Sequence, residues 1–139
     1  MAYKNLFVDS DIILDLLFER ELFYEFAEVL ITECSKRQIG FNTSTLIIAN
    51  VHYLMSKKFG KDPAKKRLSV LLNRVNVLSF NQDAIDFAIK GNFADFEDAI
   101  QHFIATENNC DIIITRNLKD YKNSTIPVLT AEQFLRKIL

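Results

Sequence analysis

The stretch Leu6-Phe7-Val8-Asp9-Ser10-Asp11 decides the fold. Its first three residues are apolar without alternation, which is typical of a strand that is buried on both faces of a sheet. The run Asp111-Ile112-Ile113-Ile114-Thr115, far along the chain, has the same character. Strands that are covered on both faces occur in parallel sheets with helices on either side, so both runs indicate an α/β protein.

Helical and extended patterns alternate along the rest of the chain. Apolar residues at helical spacing, together with capping residues, predict helices over 11–18, 21–36, 43–55, 62–73, 81–90 and 95–107, and a capping box at 130–133 opens a last one. Short apolar runs predict strands over 6–8, 39–41, 75–80, 111–115 and 127–129. This order predicts a three-layer α/β/α fold with a central five-stranded parallel sheet. The length of 139 residues predicts a single domain, 1–139.

The composition narrows the classes of function. A net charge of −1 excludes a globally basic nucleic-acid binder. Three isolated glycines leave no Gly-rich phosphate-binding loop, and no Gly-x-Ser-x-Gly motif is present. No stretch is apolar enough to cross a membrane, and Met1–Asn5 lacks the apolar core of a leader peptide. With two widely spaced cysteines, Cys34 and Cys110, these features predict a cytoplasmic protein with reduced thiols, whose chemistry must come from carboxylates, amides and hydroxyls.

Acidic and hydroxyl side chains follow the two apolar strands. Residues 9–11 follow the first strand, residues 115–120 follow the fourth, and three acids, Asp95, Glu97 and Asp98, open the helix before it. Ligands of parallel sheets bind at the carboxyl ends of strands, so these groups converge if the first and fourth strands are neighbours. Clustered carboxylates repel one another, and Mg²⁺ or Mn²⁺ relieves that repulsion. Purely structural explanations of three of these acids stay open. Asp11 would be a helix N-cap, and Asp95 and Glu97 would be first-turn acids that the helix dipole favours.

Three segments resemble the PIN-domain family, the fold of VapC-like toxin ribonucleases. They are Phe7–Leu17, Asp95–Gln101 and Ile113–Tyr121, and the resemblance covers essentially the whole chain in order and length. It implies a five-stranded parallel sheet between helices, an acidic metal site and cleavage of RNA phosphodiesters. Many members are homodimers paired with a small antitoxin protein. The function predicted here is therefore a Mg²⁺- or Mn²⁺-dependent ribonuclease, the toxin of a toxin–antitoxin pair.

The resemblance also assigns the main site residues. Asp9 looks like the family's first acid and Asp98 like its third, and both would hold the metal ion. The second acid, usually a glutamate, falls on Asn50, and the fourth falls on Asn117. An amide offers a carbonyl oxygen without charge, so these two departures weaken the expected metal site.

Four further residues complete the expected site. Thr115 matches the family's usual hydroxyl, and Ser10 would orient the first acid. Asp95 and Asp120 lie within a few residues of expected ligands. Asp95 is also predicted to be a catalytic residue. We expect these two acids to supply the charge that the amides lack, with Asp11 as an alternative source.

A basic stretch runs from Ser56 to Arg67. It carries one acid, Asp62, and six cations, namely Lys57, Lys58, Lys61, Lys65, Lys66 and Arg67. Phosphate backbones bind such patches through counterion release, so the first three lysines are predicted RNA contacts. Arg116, beside the predicted site, is predicted to touch a phosphate. The alternative is a solvated surface without a ligand.

Three other functions stay open at this point. A PIN-like fold with two amides in its site would bind RNA or a protein without cutting. Asp9-Ser10-Asp11 also resembles the D-x-D motif of haloacid-dehalogenase-like phosphatases, but Thr115 follows the later acidic motif instead of preceding it. A response-regulator receiver needs an aspartate at the end of the third strand, and Val77–Asn81 contains none.

Overall fold

The structure, a computed structural model, describes residues 3–139, in which strands and helices alternate. The strands are β1 Asn5–Val8, β2 Gly40–Ser44, β3 Asn76–Leu78, β4 Ile112–Ile114 and β5 Val128–Leu129. The helices are α1 Ser10–Leu17, α2 Tyr24–Lys36, α3 Thr45–Phe59, α4 Lys61–Leu71, α5 Gln82–Lys90, α6 Phe96–Glu107 and α7 Ala131–Ile138, with a 3₁₀ helix over Leu118–Tyr121. Met1 and Ala2, part of the segment searched for a leader peptide, lie outside the described residues.

The five strands pair in parallel, in the order β3-β2-β1-β4-β5. β1 lies at the centre, where Leu6 pairs with Phe41 of β2 on one side and with Ile112 of β4 on the other. The condition for a shared site, that the first and fourth strands are neighbours, is therefore met. The prediction of a five-stranded parallel sheet is confirmed.

Both apolar runs form the middle of the core. Leu6–Val8 and Ile112–Ile114 have no exposed surface. Consecutive residues of a strand point to opposite faces, so their complete burial means that helices cover both faces of the sheet. α2 packs against α1 and α7, α3 packs against α4, and α5 packs against α6. Cys34 and Cys110 are buried free thiols, as predicted. Within residues 3–139, none of the helices has the length and apolar character needed to cross a lipid bilayer.

Several helices begin one to three residues away from the predicted position, and two of these starts depend on unusual backbone conformations. α2 begins later, because the preceding turn places Glu19 and Leu22 in the left-handed region, with φ of 49° and 73°. α4 begins before its predicted cap, Asp62, because Gly60 adopts a φ of 90° that ends α3 and turns the chain at once. Glycine suits this backbone conformation because it has no Cβ. α4 therefore follows α3 after a single residue.

The sheet and one buried hydrogen bond place the site. The Asp9 N–H continues the hydrogen bonding of β1 to β4 at 3.0 Å, so Asp9 and Thr115 lie side by side at the carboxyl edge of the sheet. The Ser44 hydroxyl at the end of β2 donates to Gln101 Oε1 of α6 at 2.7 Å. Asp98 lies one helical turn before Gln101 on the same face of α6, so this link holds Asp98 at the same edge.

Candidate active site

Asp9 is a buried carboxylate that is held by three hydrogen bonds. Its Oδ1 accepts from the Ser10 N–H at 2.8 Å, which makes Asp9 the N-cap of α1. Its Oδ2 accepts from the Thr115 hydroxyl at 3.0 Å and from the Tyr121 hydroxyl at 3.2 Å. Only 7% of Asp9 is exposed. Burial, and then the charge of Asp11, raises the pKa of Asp9 to about 6, against these hydrogen bonds.

Asp98 is the second acid of the site. It lies in the first turn of α6 and is half-buried. Its pKa is raised to about 7, first by burial and then by the negative charges of Asp9, Asp95, Asp120 and Glu97, in that order. These charges come from the residue after β1, from the start of α6 and from the 3₁₀ helix, so acids from separate segments lie near one another, as predicted.

Asp95 caps the helix that carries Asp98. Its side chain accepts from the Asp98 N–H at 2.9 Å, and its own surface is exposed. The structural explanation left open above therefore holds in part, because Asp95 caps α6 and Glu97 lies in its first turn. Both remain close enough to add negative charge at Asp98.

A cleft of about 230 Å³ opens between α1, α3 and α6. It is lined by Asp9, Ser10, Leu14, Ile47, Asn50, Val51, Leu54, Glu97, Asp98 and Gln101. The structure therefore brings together four of the predicted residues, the two acids with Ser10 and Asn50. Four other predicted residues do not line this cleft, namely Thr115, Asn117, Asp95 and Asp120. They lie next to residues that do, or next to one another.

Asp11 and Asn117 are tied to the residues that follow β4. The Thr115 hydroxyl lies 3.3 Å from Asp11 Oδ2, which also accepts from the Arg116 N–H at 2.7 Å. The Asn117 N–H donates to Thr115 Oγ1 at 3.1 Å, and its side chain is exposed. Asp11 does not cap α1, because Asp9 does. Asp11 Oδ1 is buried and has no hydrogen-bond partner within residues 3–139.

The Arg116 side chain is held by a buried acid. Its guanidinium donates to both oxygens of Asp15, at 3.1 and 2.9 Å, and stacks on the Phe23 ring at 3.9 Å. Asp15 is only 1% exposed, and Arg20 lies 3.7 Å from the same carboxylate. The predicted phosphate contact therefore competes with an ion pair that is already formed.

The predicted basic residues continue the cleft along α3. One face of α3 carries exposed residues that recur at helical spacing, namely Asn50, Tyr53, Leu54, Lys57 and Lys58. The first and third of them line the cleft. The Lys57 ammonium lies 4.5 Å from the centre of the Tyr53 ring. Lys61, the first residue of α4, is exposed beyond the end of this face.

The donor set of the cleft fits a hard divalent cation. Asp9 and Asp98 offer carboxylates, and among residues 3–139 no lysine or arginine forms a salt bridge with either. Within the same range, no three His, Cys, Asp or Glu side chains come close enough to form a metal-binding group by themselves. Mg²⁺ is usually held by one or two carboxylates, with waters and substrate phosphates completing its shell. Two carboxylates and an amide oxygen meet that requirement.

Tyr121 is a site residue that the sequence analysis did not assign. It ends the 3₁₀ helix and is 2% exposed, with its hydroxyl on Asp9. A tyrosine directly after Asp120 carries no local pattern that would distinguish it from a core aromatic. Its position in the segment 113–121, which carries the family resemblance, was the one signal available.

Comparison with known proteins identifies the family to which the chain belongs. A family model described as PIN domain matches residues 5–119. The chain is 28% identical to the ribonuclease VapC1 of Aquifex aeolicus (strain VF5), over 99% of this chain and 97% of that protein. It resembles VapBC-1 from nontypeable Haemophilus influenzae with a TM-score of 0.70 and 18% identity, covering 92% and 98% of the two chains. It also resembles a toxin–antitoxin complex from Klebsiella pneumoniae, with a TM-score of 0.67 and 21% identity, covering 91% of this chain and 97% of that chain.

Proposed function

Because the chain belongs to the PIN domain family, we propose that it is a metal-dependent ribonuclease and the toxin of a toxin–antitoxin pair. The observation that carries this proposal is the pair Asp9 and Asp98, two carboxylates on one cleft without a cationic side chain. Structural acids of this kind are normally paired with Lys or Arg. An unpaired acidic cleft at the carboxyl edge of a parallel sheet is instead suited to a cation and its phosphate ligand. The relative from Aquifex aeolicus, named a ribonuclease, supports RNA as the substrate.

Asp9 and Asp98 would hold Mg²⁺ or Mn²⁺, and Asn50 would add its carbonyl oxygen from the cleft wall. A cation held there would supply an activated water and would stabilise the negative charge that develops on the phosphate. Ser10 and Thr115 hold Asp9 in place through the bonds described above. Asp95 and Asp120 supply charge from the rim of the cleft, and Asn117 holds the Thr115 hydroxyl through its backbone N–H.

The exposed face of α3 would bind the RNA strand. Lys57 lies seven residues after Asn50, or about 10 Å along the helix axis, so it reaches a phosphate next to the one in the cleft. Lys58 and Lys61 extend the basic surface, and the exposed Tyr53 ring offers a stacking surface for a base. Arg116 serves the site through its backbone N–H on Asp11, because its guanidinium is held by Asp15.

The antitoxin would dock in the groove between α2 and α7. Two cavities of about 390 and 550 Å³ share Phe26 and Glu132, so they form one continuous groove. Phe23, Phe26 and Val29 are exposed along it. Glu25 lines the groove as an acidic group, whereas Glu132 is paired with Arg136 at 3.0 Å. A partner segment with an apolar face fits this chemistry. The Klebsiella pneumoniae complex supports such a partner.

We also propose that the protein is a homodimer and that it is located in the cytoplasm.

Calorimetric titration with Mn²⁺ tests the function, with RNA cleavage followed in the same buffers. Wild type is expected to bind saturably and to cut RNA, and Asp98→Asn and Asp9→Ala are expected to lose both activities. Glu107→Gln is the matched control, because it removes an exposed carboxylate at the other end of α6. A wild-type protein that neither binds millimolar Mn²⁺ nor cuts RNA would refute the proposal, and cleavage that persists in EDTA would refute its metal dependence.

A further inference from the structure

We propose that Tyr121 is a positioning residue for Asp9, whose hydroxyl fixes which carboxylate oxygen is left free for a cation. This inference rests on the proposed function. Asp9 Oδ2 accepts two hydroxyl groups, from Thr115 at 3.0 Å and from Tyr121 at 3.2 Å, whereas Oδ1 accepts one backbone N–H. A carboxylate oxygen offers two lone pairs, so the two hydroxyls together can fill Oδ2, whereas Oδ1 keeps capacity for a cation.

Thr115 alone cannot perform this role, because its hydroxyl has one hydrogen and two carboxylates within reach. Asp9 Oδ2 lies 3.0 Å from Thr115 Oγ1 and Asp11 Oδ2 lies 3.3 Å from it. When the hydrogen points to Asp11, Asp9 loses that bond. The Tyr121 hydroxyl makes its hydrogen bond to Asp9, so it is the donor that keeps Oδ2 engaged in both arrangements.

The surroundings of Tyr121 hold its hydroxyl in place. The residue is 2% exposed, and its ring meets the Phe93 ring edge-on, with centroids 6.3 Å apart. A phenol carries its hydrogen at neutral pH, so the Tyr121 hydroxyl can act as a donor to Asp9. A rigid, neutral donor orients a carboxylate without competing for the cation.

The Tyr121→Phe variant removes the hydroxyl and keeps the buried ring. Groups that orient a metal ligand typically change metal affinity by 10–100-fold when they are removed, and we expect a loss in that range for Mn²⁺. Electron paramagnetic resonance of free Mn²⁺ measures it directly. Tyr3→Phe is the matched control, since Tyr3 packs against Phe134 and its hydroxyl makes no hydrogen bond to the residues described. This control is expected to bind Mn²⁺ as wild type does.

Kinetics separate positioning from a general structural role. We expect Tyr121→Phe to lose cleavage at limiting Mn²⁺, to recover most of its kcat at saturating Mn²⁺, and to keep its KM for RNA within twofold. The thermal unfolding transition of metal-free Tyr121→Phe is expected to stay cooperative.

Mn²⁺ affinity within twofold of wild type would overturn the inference, as would a variant without a cooperative transition. A wild-type protein that binds no Mn²⁺ overturns the proposed function as well, whereas normal binding by both proteins overturns the role of Tyr121 alone.

Discussion

Replacing Asp9 with asparagine will change how the stability of the metal-free protein depends on pH. Burial, and then the charge of Asp11, raises the folded-state pKa of Asp9 from 3.8 to about 6. Between these values the folded chain holds a proton that the unfolded chain has released, so wild type loses stability as the pH rises through this window. Since one pKa unit corresponds to about 1.4 kcal/mol, the full penalty above pH 6 is roughly 3 kcal/mol.

The Asp9→Asn variant has no such penalty at any pH. Because wild type already carries about 1 kcal/mol of it at pH 4.5, the stability advantage of the variant grows by roughly 2 kcal/mol from pH 4.5 to pH 8. The hydrogen bonds that asparagine makes or loses to Thr115 and Tyr121 act at both pH values, so they cancel in this comparison. The expected change is large against the 5–15 kcal/mol of a typical domain.

Urea unfolding in EDTA at the two pH values measures this change, with Glu107→Gln as the control for loss of an exposed carboxylate. An advantage that is the same at pH 4.5 and pH 8 would refute the reasoning, because it would mean that the buried charge costs the fold nothing. Saturating Mn²⁺ at pH 8 should then stabilise wild type by mass action and stabilise Asp9→Asn less.

Three further predictions concern the surfaces around the cleft. The double variant Lys57→Gln, Lys58→Gln is expected to lower the slope of log RNA affinity against log salt by about 1.4, as measured by filter binding. Arg116→Gln is expected to cost about 2 kcal/mol in urea unfolding, because it removes the main partner of the buried Asp15. Phe26→Ser is expected to weaken antitoxin binding at least tenfold in calorimetry while cleavage is unchanged. An unchanged salt slope, urea midpoint or antitoxin affinity would contradict the respective prediction.

The fold could be predicted because its central strands are apolar on both faces. Leu6–Val8 and Ile112–Ile114 need cover on both sides, and a parallel sheet between helices provides it. Helix starts were less predictable, because they depend on single backbone conformations. Gly60 turns the chain at a φ of 90°, and Leu22 takes a φ of 73° that bulky residues rarely adopt.

The acids of the candidate site could be predicted, together with Ser10 and Thr115 as the groups that hold Asp9, but the contacts of Tyr121 and Arg116 could not. Asp9 and Asp98 stand in recognisable segments, at the end of a buried strand and in the first turn of a helix. The Tyr121 hydroxyl and the Arg116 guanidinium meet their partners only through the pairing of β1 with β4. No local sequence pattern predicts contacts between residues that are more than 100 positions apart in the chain.

The structure also explains why the Asp9-x-Asp11 pattern does not serve as the acid pair of a phosphatase. Asp9 lines the cleft, but Asp11 does not. The Asp11 Oδ2 atom accepts from the Arg116 N–H and lies near the Thr115 hydroxyl, so it is engaged with the segment after β4. Two acids one residue apart at the start of a helix thus have different surroundings, and the second acid of the cleft comes from α6.

The amide at position 50 suits the charge that is already present around Asp98. Burial, and then the negative charges of four other carboxylates, raise the pKa of Asp98 to about 7. A carboxylate at Asn50, on the same cleft, would add repulsion that destabilises the metal-free fold further. An amide keeps an oxygen donor on the wall without that charge. On the proposed function, the negative charge that would attract a cation comes from Asp95 and Asp120, whose exposed positions let water solvate them. On this proposal, the chain would give up metal affinity at the cleft wall and keep the stability of its metal-free form.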